Sequence, residues 1–314
     1  MGFYKWLEDI KITSKDRIIE PFAGSNNIPA MIEEGDIITE NEWSCFDIEP
    51  GDNAFPKYKI IQRDTIKNYP TGFKVAITNP PYLSKNSATR RGLAFPKTKY
   101  DDLYKLCLEV MLKHTPYVAA IIPETFLTAG LFHERIHSVI SLTCKMFSDT
   151  DCPVCLALFV PENEAPDSFN IYRMNELLGT FKELSSGDIK DSLGIAWKFN
   201  DPNGEIGIWC IDNTKCNSIV FGEGGKIKSS LIKNTSRSLT RVGGLPDAVD
   251  KEKFINKCNE ILNKYRLETK DVFMASFKGL RVDGLYRRRL DFATARRIMN
   301  HALIEQMKEG IDDA

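Results

Sequence analysis

The sequence predicts an α/β fold, with a mainly parallel sheet in the first half of the chain and a smaller α+β module in the second half. Three observations support this. Short apolar runs alternate with helical patterns as far as residue 160, as expected for crossover connections between parallel strands. A polar segment with two prolines, residues 161–167, then interrupts the alternation. Beyond it, glycine and asparagine become frequent and the strands become short. We therefore expect two domains, residues 1–163 and residues 164–314.

Hydrophobic spacing predicts the individual elements in chain order. Apolar runs predict strands in the first domain at 17–20, 43–48, 59–62, 75–78, 117–122 and 154–160. Apolar residues at helical spacing predict helices there at 28–34, 103–111 and 132–140. The second domain contains a predicted strand at 206–211 and predicted helices at 251–262 and 293–307. In sheets of this kind a ligand binds beyond the carboxyl ends of the strands, so the residues that follow each strand are the candidates for a site.

Composition excludes several classes of protein. A chain of 314 residues that is 42% hydrophobic and 27% charged can bury a large core and is not expected to be disordered over long stretches. Apolar runs stay well short of the roughly 20 residues that a membrane-spanning helix needs. Eight cysteines without disulfide-like spacing indicate a reducing cytoplasm. A net charge of −1 means that contact with a polyanion depends on local patches.

Basic residues are concentrated in three stretches. Residues 1–165 carry 18 basic and 22 acidic side chains, whereas the remainder carries 24 and 21. Residues 84–100 and 224–246 contain no acid, and residues 278–297 are rich in arginine. These stretches predict a groove that follows phosphates, although each alone is also compatible with a solvated protein face. The candidate nucleic-acid contacts are Lys85, Arg90, Arg91, Lys97, Arg237, Arg241, Arg287, Arg288 and Arg289.

Three strand ends carry residues suited to a nucleoside. The first predicted strand leads into the turn Glu20-Pro21-Phe22-Ala23-Gly24, whose glycine lets a ligand approach the backbone and the following helix. Asp47 and Ile48 follow the second strand, where a carboxylate can accept hydrogen bonds from ribose hydroxyls. Asp64 and Thr65 follow the third, where a carboxylate can accept from an adenine amino group. Each acid could instead be a helix cap or a loop charge.

The fourth strand ends in the tetrapeptide Asn79-Pro80-Pro81-Tyr82. Two prolines cannot donate hydrogen bonds to a sheet and they stiffen the backbone, so the segment predicts a rigid projection. The exocyclic nitrogen of adenine is a poor nucleophile because its lone pair is delocalised. The Asn79 side-chain oxygen and the Pro80 carbonyl can accept its two N–H bonds and so favour attack on an electrophilic methyl group. Tyr82 can stack on the base.

These motifs resemble those of the S-adenosylmethionine-dependent DNA amino-methyltransferases, specifically adenine-N6 enzymes with the gamma motif order. In that order the glycine-containing turn precedes the NPPY tetrapeptide, as it does here. The resemblance covers roughly residues 4–160 and implies a Rossmann-like methyltransferase sheet with a C-terminal target-recognition module. The tetrapeptide is shared with methylases of ribosomal RNA and of protein glutamine. The Glu-Pro turn and the basic second half favour DNA.

The resemblance also implies roles for individual residues. The turn from Glu20 to Gly24 would line the methionine and sulfonium part of S-adenosylmethionine. Asp47 would bind its ribose, Ile48 its adenine ring, and Asp64 with Thr65 its adenine amino end. Pro81 and Phe147 are assigned to nucleic-acid contact, with the Phe147 ring against the flipped base. Asn26 stands where the family often has glycine, and asparagine tolerates the left-handed backbone that such a position requires.

The sequence therefore predicts a site-specific DNA methyltransferase that transfers methyl from S-adenosylmethionine to adenine N6 of a flipped base in a bacterial or phage cytoplasm. The expected partner is double-stranded DNA, with a cognate restriction endonuclease or a partner subunit as a further candidate, and no membrane. Two alternatives stay open: an RNA adenine-N6 methyltransferase, and a non-catalytic subunit that keeps the fold. Neither Cys152 with Cys155 nor His133 with His137 has the surroundings of a metal site, and none is predicted.

Overall fold

The computed structural model describes residues 1–38, 40–144, 146, 152–190 and 195–312, with the backbone alone at 309–312. These residues divide into two compact units. Unit 1 comprises Met1–Leu142 and Val154–Phe181, and unit 2 comprises Thr143–Pro153 and Lys182–Ala314. None of the helices in the described ranges is long and apolar enough to cross a membrane.

Unit 1 is built on one large sheet. Its strands are β1 (Ile18–Glu20), β2 (Trp43–Asp47), β3 (Ile60–Gln62), β4 (Val75–Thr78), β5 (Tyr117–Pro123), β6 (Ile136–Leu142), β7 (Val154–Phe159), β8 (Asn170–Arg173) and β9 (Glu176–Thr180). Its helices are α1 (Gly2–Asp9), α2 (Asn27–Glu34), α3 (Lys85–Arg90) and α4 (Leu103–His114), and short 3₁₀ turns lie at Glu124–Thr128 and His133–Arg135. A further helix, α5 (Phe181–Ser186), begins where unit 1 ends.

The sheet has the predicted α/β character. Across the described residues its strand order is β3-β2-β1-β4-β5-β7-β6-β8-β9. The strands from β3 to β5 are mutually parallel, and β7 runs antiparallel to both of its neighbours. The central strands are buried on both faces, which explains why they were visible in the sequence as continuous apolar runs. The predicted fold class is confirmed.

The predicted helix at 132–140 is wrong. A 3₁₀ turn occupies His133–Arg135, and residues from Ile136 onward form β6 between β7 and β8. A short apolar segment fits a buried strand as well as a helix, and here hydrogen-bonding neighbours on both sides decide in favour of the strand. The two histidines consequently do not share a helix face. His133 lies 2.9 Å from Asp167, and His137 lies 3.0 Å from Asp9.

The observed boundary between the two units also differs from the predicted one at residues 163 and 164. Unit 1 continues beyond residue 163 to Phe181, because β8 pairs in parallel with β6 and β9 pairs with β8. The polar segment at 161–167 is therefore a connection within unit 1, and it leads into strands that complete the sheet edge.

Unit 2 is an α+β module. Its strands β10 (Lys198–Phe199), β11 (Ile206–Trp209), β12 (Val220–Glu223) and β13 (Leu239–Gly243) form an antiparallel sheet in the order β10-β13-β11-β12, beside a hairpin of β14 (Ala275–Leu280) and β15 (Tyr286–Arg289). Helices α6 (Lys251–Thr269) and α7 (Phe292–Asp312) pack together and contribute Phe254, Leu262 and Ile298 to its apolar core.

A buried charge network supports unit 2. Asp212 is fully buried and receives two hydrogen bonds from the Arg266 guanidinium, at 2.9 and 2.8 Å. Its carboxylate also accepts the backbone N–H groups of Ser218 and Ile219. Burial alone would raise the pKa of Asp212, but the hydrogen bonds from Arg266 and the backbone bring it below its usual value. Arg281 lies 3.5 Å from the same carboxylate.

We expect Asp212→Asn to lower the free energy of unfolding by about 3 kcal/mol, because it removes the fully buried carboxylate that Arg266 and Arg281 share. Their other partners, Asp271 and Asp283, are more exposed. Urea unfolding followed by tryptophan fluorescence measures this loss. The same chemical change at the exposed Lys264–Glu268 pair, Glu268→Gln, should alter stability by about 0.5 kcal/mol or less. Equal effects for the two variants would contradict a structural role for the network.

Candidate active site

The candidate site lies where three neighbouring parallel strands end. β1 pairs with β2 on one side and with β4 on the other, so the segments that follow them emerge at the same edge of the sheet. These segments begin at Pro21, Ile48 and Asn79. The fold thus brings the predicted cofactor turn next to the predicted catalytic tetrapeptide.

Glu20 is the last residue of β1 and is only 1% exposed. One carboxylate oxygen, Oε1, accepts a hydrogen bond from the Phe22 N–H at 3.1 Å and another from the Thr78 hydroxyl. The other oxygen, Oε2, is buried and lacks a partner within the described residues. Burial raises the pKa of Glu20 to about 8, against the opposing effect of the hydrogen bond from Thr78.

The turn after β1 has the backbone that its sequence predicts. Gly24 has φ of +51°, and no atom lies within 4 Å of the position that a Cβ would occupy there. Asn26 has φ of +63°, so asparagine supplies the left-handed conformation. Its side chain donates hydrogen bonds to Asn53 Oδ1 and to the Tyr58 carbonyl at 3.0 and 2.7 Å, and these bonds tie the turn to a neighbouring loop.

Asp47 closes the turn from the side of β2. Its Oδ2 accepts the Gly24 N–H at 2.8 Å, and its Oδ1 accepts the Glu49 N–H at the same distance. The next residue, Ile48, is 62% exposed although it is a large apolar side chain. An exposed isoleucine beside a carboxylate suits a ligand that has an apolar ring next to hydroxyl groups.

The acid after β3 is paired within the protein. Asp64 lies 2.9 Å from the Lys67 ammonium and accepts the Lys67 N–H at 3.1 Å. Burial tends to raise the pKa of Asp64, but these Lys67 contacts outweigh it and lower the pKa. Thr65 is buried, and its hydroxyl donates to the Pro21 carbonyl at 2.9 Å. Thr65 therefore stabilises the glycine-containing turn.

The tetrapeptide projects beyond β4 with its members in different environments. Pro80 is buried, Pro81 is exposed, and Asn79 and Tyr82 are half-buried. The Tyr82 hydroxyl lies 2.5 Å from Asn79 Oδ1 and 2.7 Å from the Ile121 carbonyl oxygen of β5. A hydroxyl has one proton, so it can donate to only one of these two acceptors at a time.

A cavity of about 480 Å³ joins these segments, a size typical of a small-molecule site. It brings together predicted cofactor residues and predicted catalytic or base-contacting residues on one surface. Its lining consists of Phe22, Asp47, Ile48, Asp64, Thr65, Ile66, Lys67, Asn79, Pro81, Leu83, Ala94, Pro96 and Leu103.

Other predicted residues lie outside this lining. The described residues that form the cavity wall do not include Glu20, Pro21, Ala23 and Gly24, nor Pro80 and Tyr82. Glu20 accepts the Phe22 N–H and Asp47 accepts the Gly24 N–H, so these bonds fix the backbone of the turn that carries Phe22. Tyr82 contacts Asn79 directly. Phe147 lies outside the described residues.

Sequence reasoning missed part of the wall. Lys67 follows Asp64 by three residues, a spacing that could have suggested their ion pair. Outside the wall, Thr78 ends β4 and could have been considered as a partner for Glu20. Leu83 and Leu103 come from segments far apart in sequence, and the backbone hydrogen bond between them brings them together.

The basic segment after the tetrapeptide is partly helical. Ser84 caps α3, and Lys85, Arg90, Arg91 and Lys97 are exposed. Ala94 and Pro96 of the same segment line the cavity. The predicted nucleic-acid contacts of unit 1 therefore surround residues that belong to the site.

The predicted arginine contacts of unit 2 divide into exposed and internal ones. Arg237 is exposed, whereas Arg288 is 5% exposed and donates to Ser276 Oγ at 2.6 Å. The prediction that Arg288 contacts DNA is therefore wrong, because its buried guanidinium donates a hydrogen bond within the β14–β15 hairpin. Arg241 and Arg287 are half-buried and donate to the carbonyls of Gly204 and Asp212. Arg289 is also half-buried.

Residues 11–145, less than half of the chain, match the family described as Eco57I restriction-modification methylase. The match shows a similarity of this part of the chain to that family. The matched range contains the turn after β1, Asp47, Asp64 and the tetrapeptide, and it confirms the resemblance found in the motifs. No curated protein matches the chain in sequence.

Several solved structures are similar to this chain. One is a protein from Listeria monocytogenes described as a class I S-adenosylmethionine-dependent methyltransferase, at 13% identity and a TM-score of 0.40, covering 55% of this chain and 64% of that one. A type I restriction-modification methyltransferase subunit from Streptococcus thermophilus has 14% identity, a TM-score of 0.39 and coverages of 61% and 48%. The M protein of the type I restriction enzyme EcoKI has 12% identity, a TM-score of 0.40 and coverages of 98% and 69%. The chain spans less than two thirds of the first two.

The raised pKa of Glu20 predicts how stability depends on pH. An acid that holds its proton more tightly in the folded state destabilises the fold as pH rises from its unfolded value of about 4.5 to its folded value of about 8. Glu20→Gln imitates the protonated acid and should remove this dependence. Its stability relative to the wild type should therefore increase by at most about 1.4 kcal/mol per pH unit in that window.

Urea unfolding at several pH values between 4 and 9 measures this difference. Glu33→Gln is a suitable control, because Glu33 has a lowered pKa and so should add no such slope above pH 5. If the free energies of unfolding of the wild type and Glu20→Gln changed in parallel with pH, the raised pKa of Glu20 would be contradicted.

Proposed function

We propose that the protein is an S-adenosylmethionine-dependent methyltransferase that modifies adenine N6 of a flipped base in double-stranded DNA. The observation that carries this proposal is the single cavity that Asp47, Ile48 and Asp64 share with Asn79. Nucleoside-binding groups and an acceptor for an amine thus meet on one surface. The match of residues 11–145 to the Eco57I restriction-modification methylase family supports DNA as the substrate.

The residues present fit S-adenosylmethionine. Asp47 would bind the ribose hydroxyls, the exposed Ile48 would cover the adenine ring, and Asp64 would accept from its amino group. The open space at Gly24 lets a ligand reach the backbone. Behind the turn, Glu20 Oε2 lacks a partner within the described residues, and a cationic group bound there would favour the ionised form of this acid. The cofactor supplies an electrophilic methyl group on a sulfonium centre.

Asn79 and Pro80 prepare the nucleophile in this proposal. Their oxygens accept the two N–H bonds of the adenine amino group and draw its lone pair out of the ring. Positive charge develops on that nitrogen during transfer, so both hydrogen bonds strengthen in the transition state and lower the barrier. Side-chain ionisation is not needed before attack, because the excess proton can leave once the nitrogen carries the methyl group.

Tyr82 acquires a second role beside stacking on the base. Its hydroxyl holds Asn79 Oδ1 in place and thereby decides which side of the amide is the oxygen. When a target amine occupies Oδ1, the hydroxyl proton can turn to the Ile121 carbonyl without movement of the ring.

The nucleic-acid substrate can be tested by comparing transfer of labelled methyl to duplex DNA, single-stranded DNA and ribosomal RNA. We expect label in duplex DNA as N6-methyladenine. A preference for ribosomal RNA would mean that RNA, not DNA, is the substrate, and it would leave the proposed methyl transfer to adenine N6 unchanged. Failure to bind S-adenosylmethionine in calorimetry would favour a non-catalytic subunit.

Asn79→Ala should reduce turnover by about 100-fold or more, because the side chain acts mainly in the transition state. The affinity for S-adenosylmethionine should change little, since Asn79 is only one of several residues that line the cavity. Single-turnover methylation and calorimetry measure the two effects. Loss of cofactor affinity without loss of the chemical step would contradict the assignment.

Tyr82→Phe should reduce the single-turnover rate by about fivefold, since one orienting hydrogen bond is worth about 1 kcal/mol. The phenyl ring is kept, so stacking on the base should survive and the affinity for DNA should stay close to that of the wild type. Tyr4→Phe, at an exposed tyrosine on α1, is the matched control. An unchanged rate for Tyr82→Phe would show that its hydroxyl does not position Asn79.

A further inference from the structure

Two phenylalanine rings stack on the surface of unit 2. Phe199 belongs to β10 and Phe292 is the first residue of α7. Their ring centroids are 4.5 Å apart and their planes differ by 21°. Both rings are half-buried and pack against the apolar core of the unit, so their positions are held from beneath.

An exposed arginine lies over each ring. The guanidinium carbon of Arg237 lies 5.2 Å from the centroid of Phe292, and that of Arg296 lies 5.5 Å from the centroid of Phe199. Stacking covers the flat face of a guanidinium and leaves its N–H edge available for hydrogen bonds. The rings also restrict the rotamers of both arginines, which lowers the entropy cost of binding an anion.

Neither arginine is neutralised by the protein. Within the described residues, Arg237 and Arg296 form no ion pair with a carboxylate, in contrast to Arg266 and Arg281. Arg237 belongs to the acid-free stretch 224–246, in which Lys228 and Lys233 are also exposed.

The loop that carries Arg237 is anchored beside the rings. The side chain of Asn200, next to Phe199, donates hydrogen bonds to the carbonyls of Asn234 and Ser236 at 3.2 and 3.3 Å. These bonds connect the basic loop to β10. The two arginines are therefore held by rings that pack against each other and by a loop with a fixed attachment.

We propose that this arginine–phenylalanine surface, formed by Arg237, Arg296, Phe199 and Phe292, binds backbone phosphates of duplex DNA. Planar guanidinium groups match the oxygens of a phosphodiester in two parallel hydrogen bonds. Contacts of this kind position a protein on DNA without reading its sequence. The inference rests on the proposed function, since it takes DNA as the substrate, and it adds Arg296 and the ring pair to the predicted contacts.

The test compares binding of the full chain to a fluorescent DNA duplex over a range of salt concentrations. Arg237→Ala/Arg296→Ala should weaken binding and reduce the slope of log K against log salt by about 2, one for each lost phosphate contact. Arg237→Lys/Arg296→Lys keeps both charges and should retain most of that slope. Calorimetric uptake of S-adenosylmethionine and the thermal unfolding midpoint should be unchanged in both variants.

Arg17→Ala is the matched control. Arg17 is also exposed and also stacks on a phenylalanine, with its guanidinium carbon 4.5 Å from the centroid of Phe73. It precedes β1 and so lies at the sheet edge opposite the candidate site. Its removal should leave the salt slope unaltered.

The outcomes separate this inference from the proposed function. If the wild type binds and methylates duplex DNA while the folded double alanine variant keeps the full salt slope, the surface does not bind phosphates and the proposed function stands. A slope lost equally in Arg17→Ala would also overturn the inference. If the wild type neither binds nor methylates any duplex, the proposed function and the inference fail together.

Discussion

A buried carboxylate holds the candidate site together. Glu20 ends β1 and receives hydrogen bonds from the Phe22 N–H at the start of the following turn and from Thr78 at the end of β4. The same side chain therefore fixes the turn expected to meet the cofactor and the strand that presents Asn79. Burial makes this arrangement sensitive to charge, because ionised Glu20 is shielded from solvent and its Oε2 lacks a partner among the residues that the structure describes. The site thus combines a rigid connection with an unsatisfied acceptor.

The tetrapeptide contains a contact between two of its side chains, Tyr82 and Asn79, that its sequence does not predict. Two prolines make the segment stiff, and the hydroxyl of Tyr82 adds a hydrogen bond to Asn79 Oδ1. A nearby carbonyl of β5 offers the same hydroxyl a second acceptor. Stacking and hydrogen bonding by one side chain are compatible, because the ring face and the hydroxyl point to different partners.

Unit 2 uses arginine in two ways. Arg266, Arg281 and Arg288 are buried and bind oxygens within the unit, where their removal or that of their partners would leave unpaired charge. Arg237 and Arg296 are exposed and rest on aromatic rings. Both groups belong to basic stretches of the sequence, but the second group is exposed to solvent. Burial, and not the density of charge in the sequence, separates these two groups of arginines.

The sequence by itself indicated the fold class, the strands from β1 to β5, and the candidate residues at their ends. Strands that are buried on both faces, such as β1, β4 and β5, leave continuous apolar runs, whereas the more exposed β3 was indicated by a short apolar run alone. Turns that contain proline or glycine are recognisable from their residue types. It did not distinguish β6 from a helix, since hydrogen bonds to β7 and β8 decide the structure of that short apolar run. Only the tertiary structure decided which charges are exposed and which side chains meet in the cavity. The approach of Leu83 to Leu103 and the burial of Arg288 depend on packing between segments, which no local pattern records.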